Sequence, residues 1–89
     1  MQTIWKFPIT EPGDIITIQM PEGSQVLTVQ TQAGTPCLWA VVEDSFVNTM
    51  EARRFAIVGT GHPMPKGAER YIGTFQLHGG GLVFHVFEV

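Results

Sequence analysis

Eighty-nine residues suffice for one hydrophobic core and not for two, so the chain reads as a single domain over 1–89. It is 44% hydrophobic and 15% charged, which excludes a disordered chain, and its net charge of −3 argues against a protein built to neutralise long nucleic acid. The single cysteine, Cys37, leaves no internal disulfide and no cysteine-based zinc cluster.

Short apolar runs alternate with turn residues from end to end. Thr3 to Ile9 places Trp5, Phe7 and Ile9 on one side, the period-2 pattern of a half-buried strand. Pro8 offers no N–H to a ladder, so this strand belongs at a sheet edge. Glu11-Pro12-Gly13-Asp14 is a turn by composition, and Ile15 to Met20 reads as the second strand. Pro21-Glu22-Gly23-Ser24 turns the chain again into a third strand over 24–32, closed by Ala33-Gly34-Thr35-Pro36.

Cys37 to Val42 is apolar on both sides, which marks a central strand. Asp44 to Ala52 is the one stretch with helical character, at most one short helix capped by Asp44 or Ser45. Arg53 to Val58 forms a fifth strand. A long loop follows, Gly59-Thr60-Gly61-His62-Pro63-Met64-Pro65-Lys66-Gly67, in which the prolines forbid a helix. Tyr71 to His78 and Gly81 to Val89 end the chain as two strands around a glycine turn. A two-residue Gly79-Gly80 turn sets Leu77 opposite Leu82, Phe75 opposite Phe84 and Gly73 opposite Val86. That register separates an apolar face from one carrying Thr74, Gln76, His78 and His85, and Gly73 leaves room for a bend or a close neighbour. Seven short strands with frequent turns predict an all-β fold, a small antiparallel sandwich or barrel.

Eight Trp and Phe side chains, from Trp5 to Phe87, overfill one small core. The expectation is a homo-oligomer that covers the surplus, with edge strands or a sheet face pairing across a two-fold axis.

Charge is unevenly placed. Arg53, Arg54, Lys66 and Arg70 flank Gly59-Thr60-Gly61-His62, with Glu69 the only acid between 53 and 70. Glycines let a backbone turn its N–H groups onto an anion, and hydroxyl, imidazole and guanidinium groups then bind its oxygens. Tyr71, beside Arg70, adds a ring on which a base can stack. The expected ligand-binding set is therefore Arg53, Arg54, Gly59, Thr60, Gly61, His62, Lys66, Arg70 and Tyr71. The competing reading is a rigid surface loop with solvated arginines.

The histidines show no metal-ligand spacing, so no metal or other cofactor is expected. His85 reads first as a half-buried, hydrogen-bonded residue, and Cys37 as a small core hydrophobe. Ser24 and Ser45 lie in turns without the context of a nucleophile, and the expectation is a protein that is not an enzyme. No apolar run reaches the length of about 18 residues that spans a membrane, and Met1-Gln2-Thr3 opens no signal peptide, which points to the cytoplasm.

Three blocks carry a resemblance: Thr3-Ile4-Trp5-Lys6-Phe7-Pro8, Gly59-Thr60-Gly61-His62-Pro63, and Tyr71 to Gln76 followed by Gly79 to Glu88. Together they resemble a family of small uncharacterised proteins encoded by bacteriophages and prophages. The resemblance lends a setting, the host bacterial cytosol during infection, and no activity. In that setting the Gly-rich, arginine-flanked loop points to a phage-derived binding protein with a counter-defence role, sequestering a phosphate-bearing signal nucleotide. The alternative is an inhibitor or accessory factor that docks on a host protein through an apolar sheet face. A virion component and a phosphoester-cleaving enzyme using His62 follow behind.

Overall fold

The structure is a computed structural model that describes residues 1–11 and 13–89; the Pro12 of the expected first turn lies outside the described residues. Seven strands form two antiparallel sheets: β1 (Gln2–Pro8), β2 (Ile15–Pro21), β3 (Gln25–Gln32), β4 (Thr35–Glu43), β5 (Met50–Gly59), β6 (Arg70–Leu77) and β7 (Leu82–Glu88). The sheets run β1-β4-β3 and β2-β5-β7-β6, and they stack as a sandwich. The expected all-β class and strand count hold.

Alternation fixes which side of each strand turns inward. Ile16 and Met20 of β2, Phe55 of β5, Phe75 of β6 and Val86 of β7 meet Val26, Val29, Leu38, Ala40 and Val42 from the other sheet. Cys37 is buried as expected, although it sits on β4 among residues of the other parity. The aromatic surplus is shared out: Phe55 and Phe75 are buried, Trp5, Phe7 and Phe84 are half-buried against the core, and Phe46 is exposed.

The helical expectation over 44–52 shrinks to a single 3-10 turn, Asp44–Phe46, and β5 begins at Met50. Its cap is Glu43, whose carboxylate accepts from the Ser45 N–H, and not Asp44 or Ser45. Too few apolar residues follow at helical spacing to outweigh β5 pairing with β2, where Pro21 stands opposite Met50.

The last hairpin adopts the segregated register, with Leu77 opposite Leu82, Phe75 opposite Phe84 and Gly73 opposite Val86. Gly79 (φ 65°, ψ 22°) and Gly80 (φ 95°) take the positive φ of a type I′ turn, and the Gly81 N–H donates to the His78 carbonyl. Gly73 serves both anticipated purposes. A bulge lies between Tyr71 and Gly73, and a Cβ at Gly73 would stand 3.0 Å from Val29 Cγ1. The two sheets meet most closely here, along β3 and β6.

Candidate functional site

β5 and β6 both run antiparallel to β7 and lie on either side of it, so they are parallel to each other and need a crossover. Residues 60–69 make that crossover. They leave β5 where Gly59 faces Phe84 and enter β6 where Arg70 faces Glu88, at the opposite end of β7. The loop therefore travels over the outer face of the sheet. Ala68 closes onto Ala56 and Val58, with Phe87 packed alongside, in a small second cluster outside the main core.

Beside this cluster a line of polar side chains runs from the start of the crossover over β7 to β6. Thr60 Oγ1 lies 2.7 Å from His85 Nε2, Thr74 Oγ1 lies 2.9 Å from His85 Nδ1, and the Tyr71 hydroxyl lies 2.6 Å from Thr74 Oγ1. Each hydroxyl both donates and accepts, so the imidazole is held at both nitrogens. His85 is the half-buried, hydrogen-bonded residue expected from its strand position. Tyr71 is 57% exposed, and its ring tilts against Phe87 at 5.5 Å between centroids.

Three open clefts share Gly59 and His62. One of about 230 Å³ is lined by Thr60, His62, Met64, His85 and Phe87. A larger one of about 460 Å³ lies on the other side of the loop, between Asp14, Pro63, Pro65 and Phe84. The third, about 240 Å³, reaches Leu82 and Val83 beside the hairpin turn. The Thr60 N–H donates to the Val83 carbonyl at 3.1 Å and the His62 N–H to the Gly59 carbonyl at 3.0 Å, which pins the loop's start to β7.

The nine expected site residues divide into two groups. Gly59, Thr60, Gly61 and His62 gather around the clefts, with Tyr71 joined to them through Thr74 and His85. The basic residues of β5 and β6 stand at the far end of the sheet. Gly59 and Arg54 are five residues apart on one strand, roughly 17 Å, and no basic side chain lines the three clefts.

Arg53 is already engaged within the molecule. Its Nε and Nη2 clasp both carboxylate oxygens of Glu88, with Nη2 3.0 Å from Oε1, and Nη1 donates to the Ser24 carbonyl at 2.7 Å. Arg53 and Glu88 are 14% and 13% exposed, and the fork ties β5 to β7 within the four-stranded sheet while Nη1 reaches the turn before β3. The Glu88 hydrogen bonds hold the guanidinium pKa above its ordinary value against the opposing effect of burial. Arg70 approaches the same carboxylate at 3.4 Å but remains 57% exposed. Arg54 sits on the outer side of β5, opposite Thr17 of β2, and Lys66 lies within the crossover.

Sequence reasoning missed Glu88 as the counter-ion of the basic stretch and missed the Thr60–His85 contact. Both depend on β5 pairing with β7, a contact between segments about thirty residues apart that no local pattern announces. The Thr74–His85 pairing was readable, because it lies within one hairpin.

A model of one domain family matches residues 1–89, the whole chain. The chain belongs to the family DUF7352, a domain of unknown function. Neither curated proteins nor solved structures provide a match to this DUF7352 chain. The described residues of the DUF7352 domain hold no group of three or more His, Cys, Asp or Glu placed to bind a metal ion. No helix among them is long and apolar enough to cross a membrane.

Proposed function

We propose that this chain is a non-enzymatic binding protein that takes a small phosphate-bearing molecule, a nucleotide, on the outer face of the β5-β7-β6 sheet. The observation that carries the reading is the hydrogen-bonded line Thr60–His85–Thr74–Tyr71 running beside the clefts of the 59–65 loop. The hydroxyls that the imidazole fixes in this row keep lone pairs free for the edge of a heterocycle. The exposed Tyr71 ring, braced by Phe87, supplies a face for stacking. The phosphate belongs toward Arg70, the neighbour of Tyr71, whose guanidinium is more than half exposed. Arg54 and Lys66 add charge on that side, and Arg53 serves the fold through Glu88. The resemblance to phage-encoded proteins supports a counter-defence setting, in which capture of a signal nucleotide in the bacterial cytosol needs no turnover.

A second reading has its own observation. Ile4 and Leu27 are 56% and 45% exposed on the three-stranded sheet, flanking the half-buried Trp39 and Val41, so that sheet offers an apolar outer face to a host protein.

Native mass spectrometry of the protein with a panel of linear and cyclic nucleotides separates the two. The nucleotide reading expects one ligand mass per chain or per symmetric site, lost on Arg70→Ala. A protein that stays bare across the panel overturns that reading and turns attention to the apolar sheet.

A further inference from the structure

The four sheet edges are not equally guarded. β3 and β6 each carry a bulge, and they face each other where the two sheets meet most closely. β1 and β2 lie at the opposite edges of their sheets, and their ladders to β4 and β5 run without a break. On β2 the carbonyl of Pro21 is already taken by the Ser24 N–H and hydroxyl, and Pro21 has no N–H. β1 is the less defended of the two.

The direction of its free hydrogen-bonding groups follows from the ladder. The Met1 carbonyl accepts from the Asp44 N–H, and the Ile9 N–H donates to the Pro36 carbonyl. Odd-numbered residues therefore face β4. The N–H and C=O groups of Gln2, Ile4 and Lys6 point away from the sheet, and Pro8, the residue without an N–H, falls on the same outward side. The lone charge that would guard this edge is drawn off it, since Lys6 Nζ reaches across β4 to Gln32 Oε1 at 2.6 Å. Ile4 stands 56% exposed at the strand's centre, and Trp5 and Phe7 remain half-buried on the inner side.

We infer that β1 pairs with β1 of a second copy, antiparallel across a two-fold axis at Ile4, to form a continuous six-stranded sheet. The occupant is another copy of this chain because the strand is complementary to itself in that register. Ile4 then opposes Ile4 of the second copy, and Gln2 opposes Lys6. Every outward N–H of Gln2, Ile4 and Lys6 meets a carbonyl, and Pro8 stays outside the ladder. On the inner side Trp5 of each copy lies opposite Thr3 of the other, which covers part of the aromatic surface left open at this end of the sandwich. A shift of the axis to Trp5 would set Ile4 against Lys6 and bring Pro8 into the pairing. The assignment does not depend on the nucleotide reading, whose site lies on the other sheet.

Sedimentation equilibrium of the full chain tests it. The wild type is expected to associate to about twice its 9.8 kDa mass as concentration rises. Ile4→Pro removes an outward N–H without touching the bonds to β4, and Ile4→Lys sets like charges against each other at the axis. Both should sediment as monomers while keeping the wild-type circular dichroism spectrum; should Ile4→Pro unfold, Ile4→Lys decides. Thr17→Pro, the matching change on β2, should leave the dimer intact. A wild type that stays monomeric, or a dimer that survives Ile4→Lys, overturns the inference. So does a dimer lost only through Thr17→Pro.

Discussion

Replacing Arg53 by Met keeps much of the side chain's apolar stem and removes its charge. In the structure this breaks a two-pronged contact with Glu88, both partners being about one-seventh exposed, and frees the Ser24 carbonyl in the turn before β3. Two unit charges about 3 Å apart at an effective dielectric of 20 attract by roughly 5 kcal/mol. Desolvation offsets much of that in the intact pair, so its net value is small. Removing one partner is different, because Glu88 is left half-buried with only the longer, solvent-exposed contact to Arg70 at 3.4 Å to compensate. We expect a loss of about 3 kcal/mol, a large share of the roughly 4–13 kcal/mol typical of a chain this size. Urea unfolding reads it directly: with a slope of about 1–1.5 kcal/mol per molar, the midpoint should fall by about 2–3 M. Arg53→Met combined with Glu88→Leu should recover at least half of the loss, since no buried charge remains unpaired. A single Arg53→Met variant within about 0.5 kcal/mol of wild type would refute the reasoning and return Arg53 to the pool of free cations.

Other outcomes follow from particular contacts. Gly73→Ala places a Cβ 3.0 Å from Val29 Cγ1 and 3.4 Å from the Val29 backbone nitrogen, so thermal unfolding should show about 1–3 kcal/mol of lost stability; an unchanged midpoint would mean β3 and β6 are less tightly packed. Gly80→Ala forces a side chain to φ 95° in the hairpin turn and should cost about 1 kcal/mol by the same assay, whereas neutrality would contradict the I′ geometry. The Glu43 carboxyl is lowered from its ordinary 4.5 to about 2 by the Met1 ammonium, which donates to it, and then by Ser45. Its folded-state value is depressed, so its contribution is present above pH 4.5 and disappears as pH falls through about 2. A side-chain NMR titration should place the Glu43 midpoint near 2, and one near 4.5 would show the contact absent in solution.

Legibility tracked the range of the interaction. The edge position of β1 was readable from Pro8 alone, since a missing N–H is tolerated only where no neighbour needs it. The last hairpin was readable to the residue, because the glycine turn and the alternation of Leu77, Phe75, Leu82 and Phe84 agree on one register. The short helix failed because Phe46, Val47 and Met50 are too few to nucleate one, and β5 claims Met50. For the site, local chemistry picked out Gly59 to His62, whose glycines and hydroxyl do border the clefts. The same reasoning grouped the arginines with them by nearness in sequence. A strand advances by about 3.3 Å per residue, however, and Arg53 and Arg54 lie in the middle of β5, well away from Gly59 at its end. Glu88 meets Arg53 and Arg70 only because β7 runs between β5 and β6, a placement no local pattern carries.

The central claim is that a nucleotide binds on the β5-β7-β6 face, and amide NMR during a nucleotide titration tests it at residue resolution. The account predicts shifts concentrated at Gly59, Thr60, His62, Tyr71, Thr74 and His85, with β1 and β4 silent, and their loss in Tyr71→Ala. Shifts confined to the three-stranded sheet, or none across the panel, would contradict it.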